Sequence, residues 1–317
     1  MVAEIRVGTS GYSFRDWVGT VYPSGTRAAE YFGRYARDFD AVEVNSTFYR
    51  IPSPDVTMRM AEKAPSGYCF TVKAPRQMSH NRDGYATAEG PFLRALKPLA
   101  DGGMLGGILV QFPQSFHREK KSAEVLPRLA DTFRSAGHRV FVEFRHCSWY
   151  CDAVFGRMQD LGLGMVNVDL PAIGSLPEPS SIATSDAAYV RLHGRNRDMW
   201  HDHPTPSHRY DYSYADRELD EWVARIEQMA QRVGIVFAFT NNCHMGSSYV
   251  DALRIKQRLG QPVRCDADAP TTLFESRDEG TYVATLARRV TAAREREQET
   301  VQRWRQARPT GVSQNER

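Results

Sequence analysis

The chain has 317 residues, with 41 Lys and Arg against 38 Asp and Glu (formal net charge +3), and is 41% hydrophobic, 25% charged and 11% aromatic. These proportions exclude intrinsic disorder, a collagen-like repeat and a disulfide-stapled miniprotein, and the small positive charge does not by itself point to nucleic acid. No stretch approaches the roughly 20 apolar residues of a membrane-spanning helix, MVAEIRVGTS lacks a signal-peptide layout, and five cysteines without framework spacing suit a reducing compartment, so a cytoplasmic protein with no membrane partner is expected.

The first strand-like run is Ile5–Thr9. Arg27–Phe39 then places Ala28, Tyr31, Phe32, Tyr35 and Phe39 on one stripe at spacings of three and four, which predicts a helix. Strand runs follow at Ala41–Phe48, Cys69–Ala74, Gly106–Phe112, Arg139–His146 and Met165–Leu170, with helical segments expected over 54–64, 89–101, 119–137 and 148–161. Pro171–Asp186, rich in Pro and Ser, reads as a loop. After the strand Ala187–His193, Leu219, Trp222, Ile226, Met229 and Val233 form one helical face, with Ser213 and Asp216 as its expected capping pair. The strand Ile235–Asn241 and a helix over 247–259 complete the series.

Strand and helix alternating eight times over about 250 residues predict a closed (β/α)8 barrel, an α/β fold of the TIM type, over residues 1–270. An open doubly wound sheet would carry a nucleotide fingerprint after its first strand, and Gly8, Gly11 and Gly19 have the wrong spacing for it. Residues 271–308 form an expected helical extension. Val283, Leu286, Val290, Ala293, Glu297, Val301 and Trp304 make a thin seam there, for packing along one edge of the barrel. Its arginines alternate with Glu295, Glu297 and Glu299, so support for a nucleic-acid arm is weak. Residues 309–317 read as a disordered tail.

A packed barrel core calls for Val, Ile and Leu. Here the strands carry polar groups near their carboxyl ends: Glu43 and Asn45, Lys73, Gln111, Glu143 and Arg145, Asn167 and Asp169, Arg191 and His193, and Asn241. Within each strand they share one parity, while Val42, Val44, Val142, Phe144, Val166, Val168, Val190 and Leu192 take the other, so the polar set is expected to face the barrel axis. Burying a charge costs several kcal/mol unless it is paired. The set therefore forms either a ligand site at the mouth or a self-neutralising ion-pair network. Loops beyond the strands add Tyr12, Tyr49, Trp149, Arg195 and Asn196. Aromatics among Arg, Lys and Asn suit a polar, anionic ligand with a flat or sugar-like part.

The ordered motifs VGTSGYSFRDWVG, VEVNSTFYRIPS, FTVKAPRQMSH, LVQFP, VEFRHCSWY, YVRLHGRN and TNNCH resemble the YecE-like family of barrel proteins that carry domain of unknown function 72. The resemblance implies a TIM barrel and brings no established activity. By analogy alone it suggests kinship with metal-dependent barrel endonucleases.

The expected roles are these. Lys73, Arg145, Arg191 and Arg195 hold an anion, and Asn45, Gln111, Asn196 and Asn241 supply amides. Glu43, Glu143 or Asp169 acts as base or acid, and His193 moves protons. Tyr12, Tyr49 and Trp149 wall the pocket. Glu143, Asp169 and His193, on neighbouring strands, are also the candidate set for a divalent metal and phosphodiester hydrolysis, although Arg145 and Arg191 can neutralise the same carboxylates. The alternatives are a metal-free isomerase or lyase acting on a sugar-like substrate, in which Lys73 is a candidate Schiff-base amine, and a non-catalytic anion-binding protein.

Overall fold

A computed structural model describes residues 3–263 and 279–306. Its strands are β1 (Glu4–Thr9), β2 (Ala41–Val44), β3 (Cys69–Lys73), β4 (Leu105–Gln111), β5 (Val140–Glu143), β6 (Gly164–Asp169), β7 (Ala187–Leu192) and β8 (Ile235–Thr240). All run parallel in the order β1-β8-β7-β6-β5-β4-β3-β2, and a bridge between Ser10 and Glu43 joins the two ends of the row. The sheet is thus a nearly closed barrel. At the joint, a Cβ on Gly8 would lie 2.3 Å from the Ala41 carbonyl oxygen, so only glycine lets the first strand come this close to the second.

Helices α1 (Tyr31–Asp38), α2 (Pro54–Lys63), α3 (Tyr85–Asp101), α4 (Lys120–Ala123), α5 (Val125–Leu129), α6 (Asp152–Asp160), α7 (Asp216–Ala230) and α8 (Ser247–Arg258) cover the barrel. Residues 171–186 contain no helix, as their Pro and Ser content predicts. The expected cap of α7 is displaced: the Ala215 N–H donates to Glu218 Oε2 at 2.8 Å, and Ser213 plays no part. No helix among the described residues is long and apolar enough to cross a membrane.

The lumen is filled in two levels. Its floor is a buried cluster that includes Ala41, Leu109, Phe141, Val166, Val168, Tyr189, Phe237 and Phe239. The floor packs tightly because glycines stand opposite large rings: a Cβ on Gly107 or Gly164 would fall within 2.5–2.6 Å of Phe141. Above the floor, toward the carboxyl ends of the strands, the lining becomes polar.

One strand departs from the expected orientation. In a parallel pair, residues in register share a face of the sheet. Arg191 faces inward and pairs with Val168, so Val168 faces inward too, while Asn167 and Asp169 pair with the outward-facing Val190 and Leu192. Asn167 Nδ2 accordingly lies 3.3 Å from Met229 Sδ of α7. The polar pair of β6 faces the helices, contrary to the expectation from sequence.

The last described helix, α9 (Glu279–Gln306), docks along the barrel with Tyr282, Val283, Leu286, Val290, Ala293 and Val301 buried. The Tyr282 hydroxyl donates to Asp38 Oδ2 at 2.8 Å, and Arg294 pairs with Asp211 at 2.6 Å. Burying each large aliphatic side chain contributes about 1.5–3 kcal/mol. The seam read from the sequence is therefore an interface with the barrel. Residues 309–317, expected to be a tail, lie outside the described residues.

Candidate functional site

The centre of the mouth is a chain of charges. Arg191, at the end of β7, donates from Nη2 and Nε to the two carboxylate oxygens of Glu43 at 2.6 and 2.8 Å, and from Nη1 to Glu143 Oε2 at 2.5 Å. Arg145 Nε donates to Glu143 Oε1 at 2.8 Å. The Tyr189 hydroxyl adds a bond to Glu43 Oε2 at 2.7 Å. These groups are 9% exposed or less, so their pairing with one another replaces the water that burial removes.

The electrostatics follow from this pairing. Burial alone raises the carboxyls of Glu43 and Glu143, but the Arg191 guanidinium outweighs it and holds both below the usual carboxylate range, Glu143 well below. Both are ionised at neutral pH and neither is a proton donor. Burial and the nearby Arg145 push His193 down to about 3, so its imidazole is neutral. Its Nδ1 lies 2.8 Å from Asn241 Nδ2 and its Nε2 lies 3.3 Å from Glu143 Oε1, an arrangement suited to the tautomer protonated at Nε2.

Lys73 stands apart from this chain of charges. Its Nζ donates to Gln111 Oε1 at 2.9 Å and lies 4.2 Å from the centre of the Phe48 ring. Burial, and then repulsion from Arg191, lower its pKa to about 7. The mouth opens into a cavity of about 540 Å³ whose lining includes Ser10, Asn45, Phe48, Tyr49, Lys73, Gln111, Arg145, Arg191 and Asn241 on the barrel side. Its outer wall includes Tyr210, His208, His244, Met245 and Glu297. Met245 has φ of 52°, a rare conformation for a residue with a side chain, and Asp16 Oδ2 holds it by accepting from its N–H at 2.8 Å.

Ten of the residues singled out from sequence therefore meet at the mouth: Glu43, Asn45, Tyr49, Lys73, Gln111, Glu143, Arg145, Arg191, His193 and Asn241. The other five are placed elsewhere. Asp169 is outside the barrel, paired with Arg195 at 3.0 Å, and burial raises its carboxyl in spite of that arginine. Arg195 also bonds Glu218 of α7 at 2.8 Å, so it belongs to the same outer contact. Asn196 staples its own loop through the carbonyls of His208 and Asp211. Trp149 is fully buried, stacked 4.1 Å from Phe144, with its Nε1 donating to the Phe116 carbonyl. Tyr12 packs on Phe32 and Tyr35 and is not part of the cavity lining, although Ser10 and Phe14 on either side of it are. With Asp169 outside, Glu143, Asp169 and His193 do not converge as metal ligands. No group of three metal-ligating side chains occurs among the described residues.

Several site residues escape the sequence reading, among them Tyr189, Glu297 and, on the outer wall, His208, Tyr210 and Met245. Tyr189 sits two residues before Arg191, on the same parity, so the signal was present in YVRLH. Glu297 was seen only as a flaw in the apolar seam of α9, and that flaw is where the helix passes the mouth.

Fold and site together define a parallel (β/α)8 barrel with a buried ion chain and a cavity-lining lysine at its carboxyl-terminal mouth. The chain belongs to the family described as "Protein of unknown function DUF72", whose model matches residues 6–273. It is 26% identical to the UPF0759 protein YunF of Bacillus subtilis over 259 residues, spanning 75% of this chain and 88% of that protein. It is 28% identical to the UPF0759 protein YecE of Escherichia coli over 194 residues, or 58% of this chain and 65% of that one. A crystal structure of a DUF72 family protein from Thermotoga maritima superimposes with a TM-score of 0.75 at 34% identity, covering 81% of this chain and all of that one.

Proposed function

We propose that the protein is an enzyme acting on a small anionic molecule, one bearing a phosphate or carboxylate, bound in the barrel mouth. The observation that carries this reading is the state of Arg145. One edge of its guanidinium is fixed by buried Glu143, its Nη2 lies 3.4 Å from His193, and its Nη1 has no hydrogen-bond partner among the described residues, although the residue lines the cavity. A guanidinium held on one side by a carboxylate presents its remaining donors already oriented for an anion, which lowers the ordering cost of binding. The cavity volume falls in the range usual for small-molecule sites. Exposed Tyr49 at the rim supplies a flat face.

Metal-assisted phosphodiester hydrolysis is the less favoured version. Asp169 lies on the far side of the sheet, and both oxygens of Glu143 already accept from guanidinium groups. The metal-free reading keeps Glu43, Glu143 and Arg191 as a rigid frame and leaves Lys73 as the group that changes protonation near neutral pH.

The test is calorimetric titration of inorganic phosphate and malonate into the wild type and Arg145→Met. Wild type should bind at least one of them, and the variant should bind it at least about tenfold more weakly, a loss of about 1.4 kcal/mol. No binding of either anion by wild type, or equal binding by a folded variant, overturns the reading.

A further inference from the structure

In a buried polar site, a lysine kept for structure is normally matched by a carboxylate. Two carboxylates stand on the nearby strands β2 and β5, and both are taken by arginines: Glu43 by Arg191, and Glu143 by Arg191 and Arg145. On the outer wall Glu297 lies beside His208 and Asp16 accepts from the Met245 N–H. Lys73 is left with a neutral partner, the Gln111 oxygen, and an aromatic face, Phe48. Gln111 is itself fixed, since its Nε2 donates to the Phe112 carbonyl at 2.6 Å. The amine is thus held in one place, lines the cavity and has no ion-pair partner among the described residues. Its two cationic neighbours cannot lose their protons, so near neutral pH the proton that leaves this group of cations comes from Lys73.

We propose that Lys73 is a nucleophile that forms an imine with an aldehyde or ketone carrying a phosphate or carboxylate. This rests on the reading that the mouth takes an anion, and it narrows the substrate to a carbonyl compound. Arg145 receives the anionic group, and the carbonyl carbon meets Nζ across the same cavity. The lone pair of the free amine forms the C–N bond while the C=O π pair moves to oxygen, which takes up a proton released from nitrogen. The carbinolamine then expels its oxygen as water, carrying the second amine hydrogen, and the nitrogen pair closes the C=N bond. One amine and one carbonyl give one imine and one water, with no oxidant or reductant consumed. Glu43 and Glu143, locked as anions by Arg191, remain paired throughout and cannot protonate the amine.

Pyridoxal 5′-phosphate, an aldehyde with a phosphate group, is a direct probe. The full chain is incubated with it at pH 7.5 and reduced with borohydride, and the label is located by peptide mass spectrometry. Lys73 should be labelled at least about tenfold faster than Lys63, Lys97, Lys120 and Lys121, because an ordinary lysine is almost wholly protonated at that pH. The rate at Lys73 should rise with a midpoint near pH 7, and inorganic phosphate should suppress it. Lys73→Arg, which keeps the charge, should remain folded and lose this fast phase. If phosphate binds but Lys73 labels no faster than the surface lysines, the imine proposal fails and the anion reading stands. If phosphate neither binds nor protects, the anion reading fails and takes this proposal with it, however Lys73 labels.

Discussion

Arg191 and Lys73 show how much a cation's surroundings decide. Arg191 is surrounded by carboxylates and stays charged. Lys73 forms no ion pair with those carboxylates among the described residues, and burial, followed by repulsion from Arg191, lowers its pKa to about 7. That shift has a thermodynamic consequence. Between about pH 7 and the unfolded-state value near 10.4, the unfolded chain binds more protons at this position than the folded one, so stability rises with pH across that window. Lys73→Met removes the penalty of keeping a buried ammonium. It should be more stable than wild type below pH 7 by more than about 1 kcal/mol, with the difference shrinking toward pH 10. Urea unfolding of both proteins from pH 6 to 10 checks the sign. Glu143→Gln should act the other way, costing about 3–5 kcal/mol because it leaves buried guanidinium groups incompletely paired. Its urea midpoint at pH 7 measures this.

At the scale of strands, most of the mouth was legible because alternation is strict: once Glu143 is assigned inward, Arg145 must follow. Strand β6 shows the limit of that logic. Its VNVD pattern alternates as cleanly as its neighbours, yet alternation alone does not say which set faces the axis when both faces are buried. Only register decides, and register is a relation between strands. It placed Asp169 opposite Leu192 and so toward α7. Trp149 and Tyr12 were misjudged for a related reason, since an aromatic just past a strand can fold back into a helix-side stack as readily as it walls the mouth. The prediction at this scale concerns the outer contact. Asp169→Asn should lower the unfolding midpoint, because Arg195 loses its charged partner, but leave phosphate affinity within about twofold of wild type. Calorimetry with inorganic phosphate, run beside a denaturation curve, separates the two effects.

For the whole molecule, the barrel and its covering helices were readable as a repeated period, whereas the part played by α9 was not. The sequence suggested a helix along one edge. The structure adds that the helix brings Glu297 to the cavity, next to His208 at 3.6 Å, from beyond the span matched by the family model. Deleting residues 279–317 should leave a folded barrel with a lower melting temperature, because Val283, Leu286 and Val290 no longer cover their apolar neighbours. Circular dichroism melts and binding of a hydrophobic dye check this, and collapse of the far-ultraviolet signal at 25 °C would contradict it.

The bond of one guanidinium to glutamates on β2 and β5, reached from β7, carries a final consequence. Distant segments of the polypeptide meet at Arg191 as spokes meet at a hub, so none of the three positions is free to drift alone: a change at one strands the other two. Variation that retunes this protein toward new chemistry is therefore channelled into the surrounding loops, and a mutagenesis library that randomises the hub one codon at a time will return mostly insoluble clones.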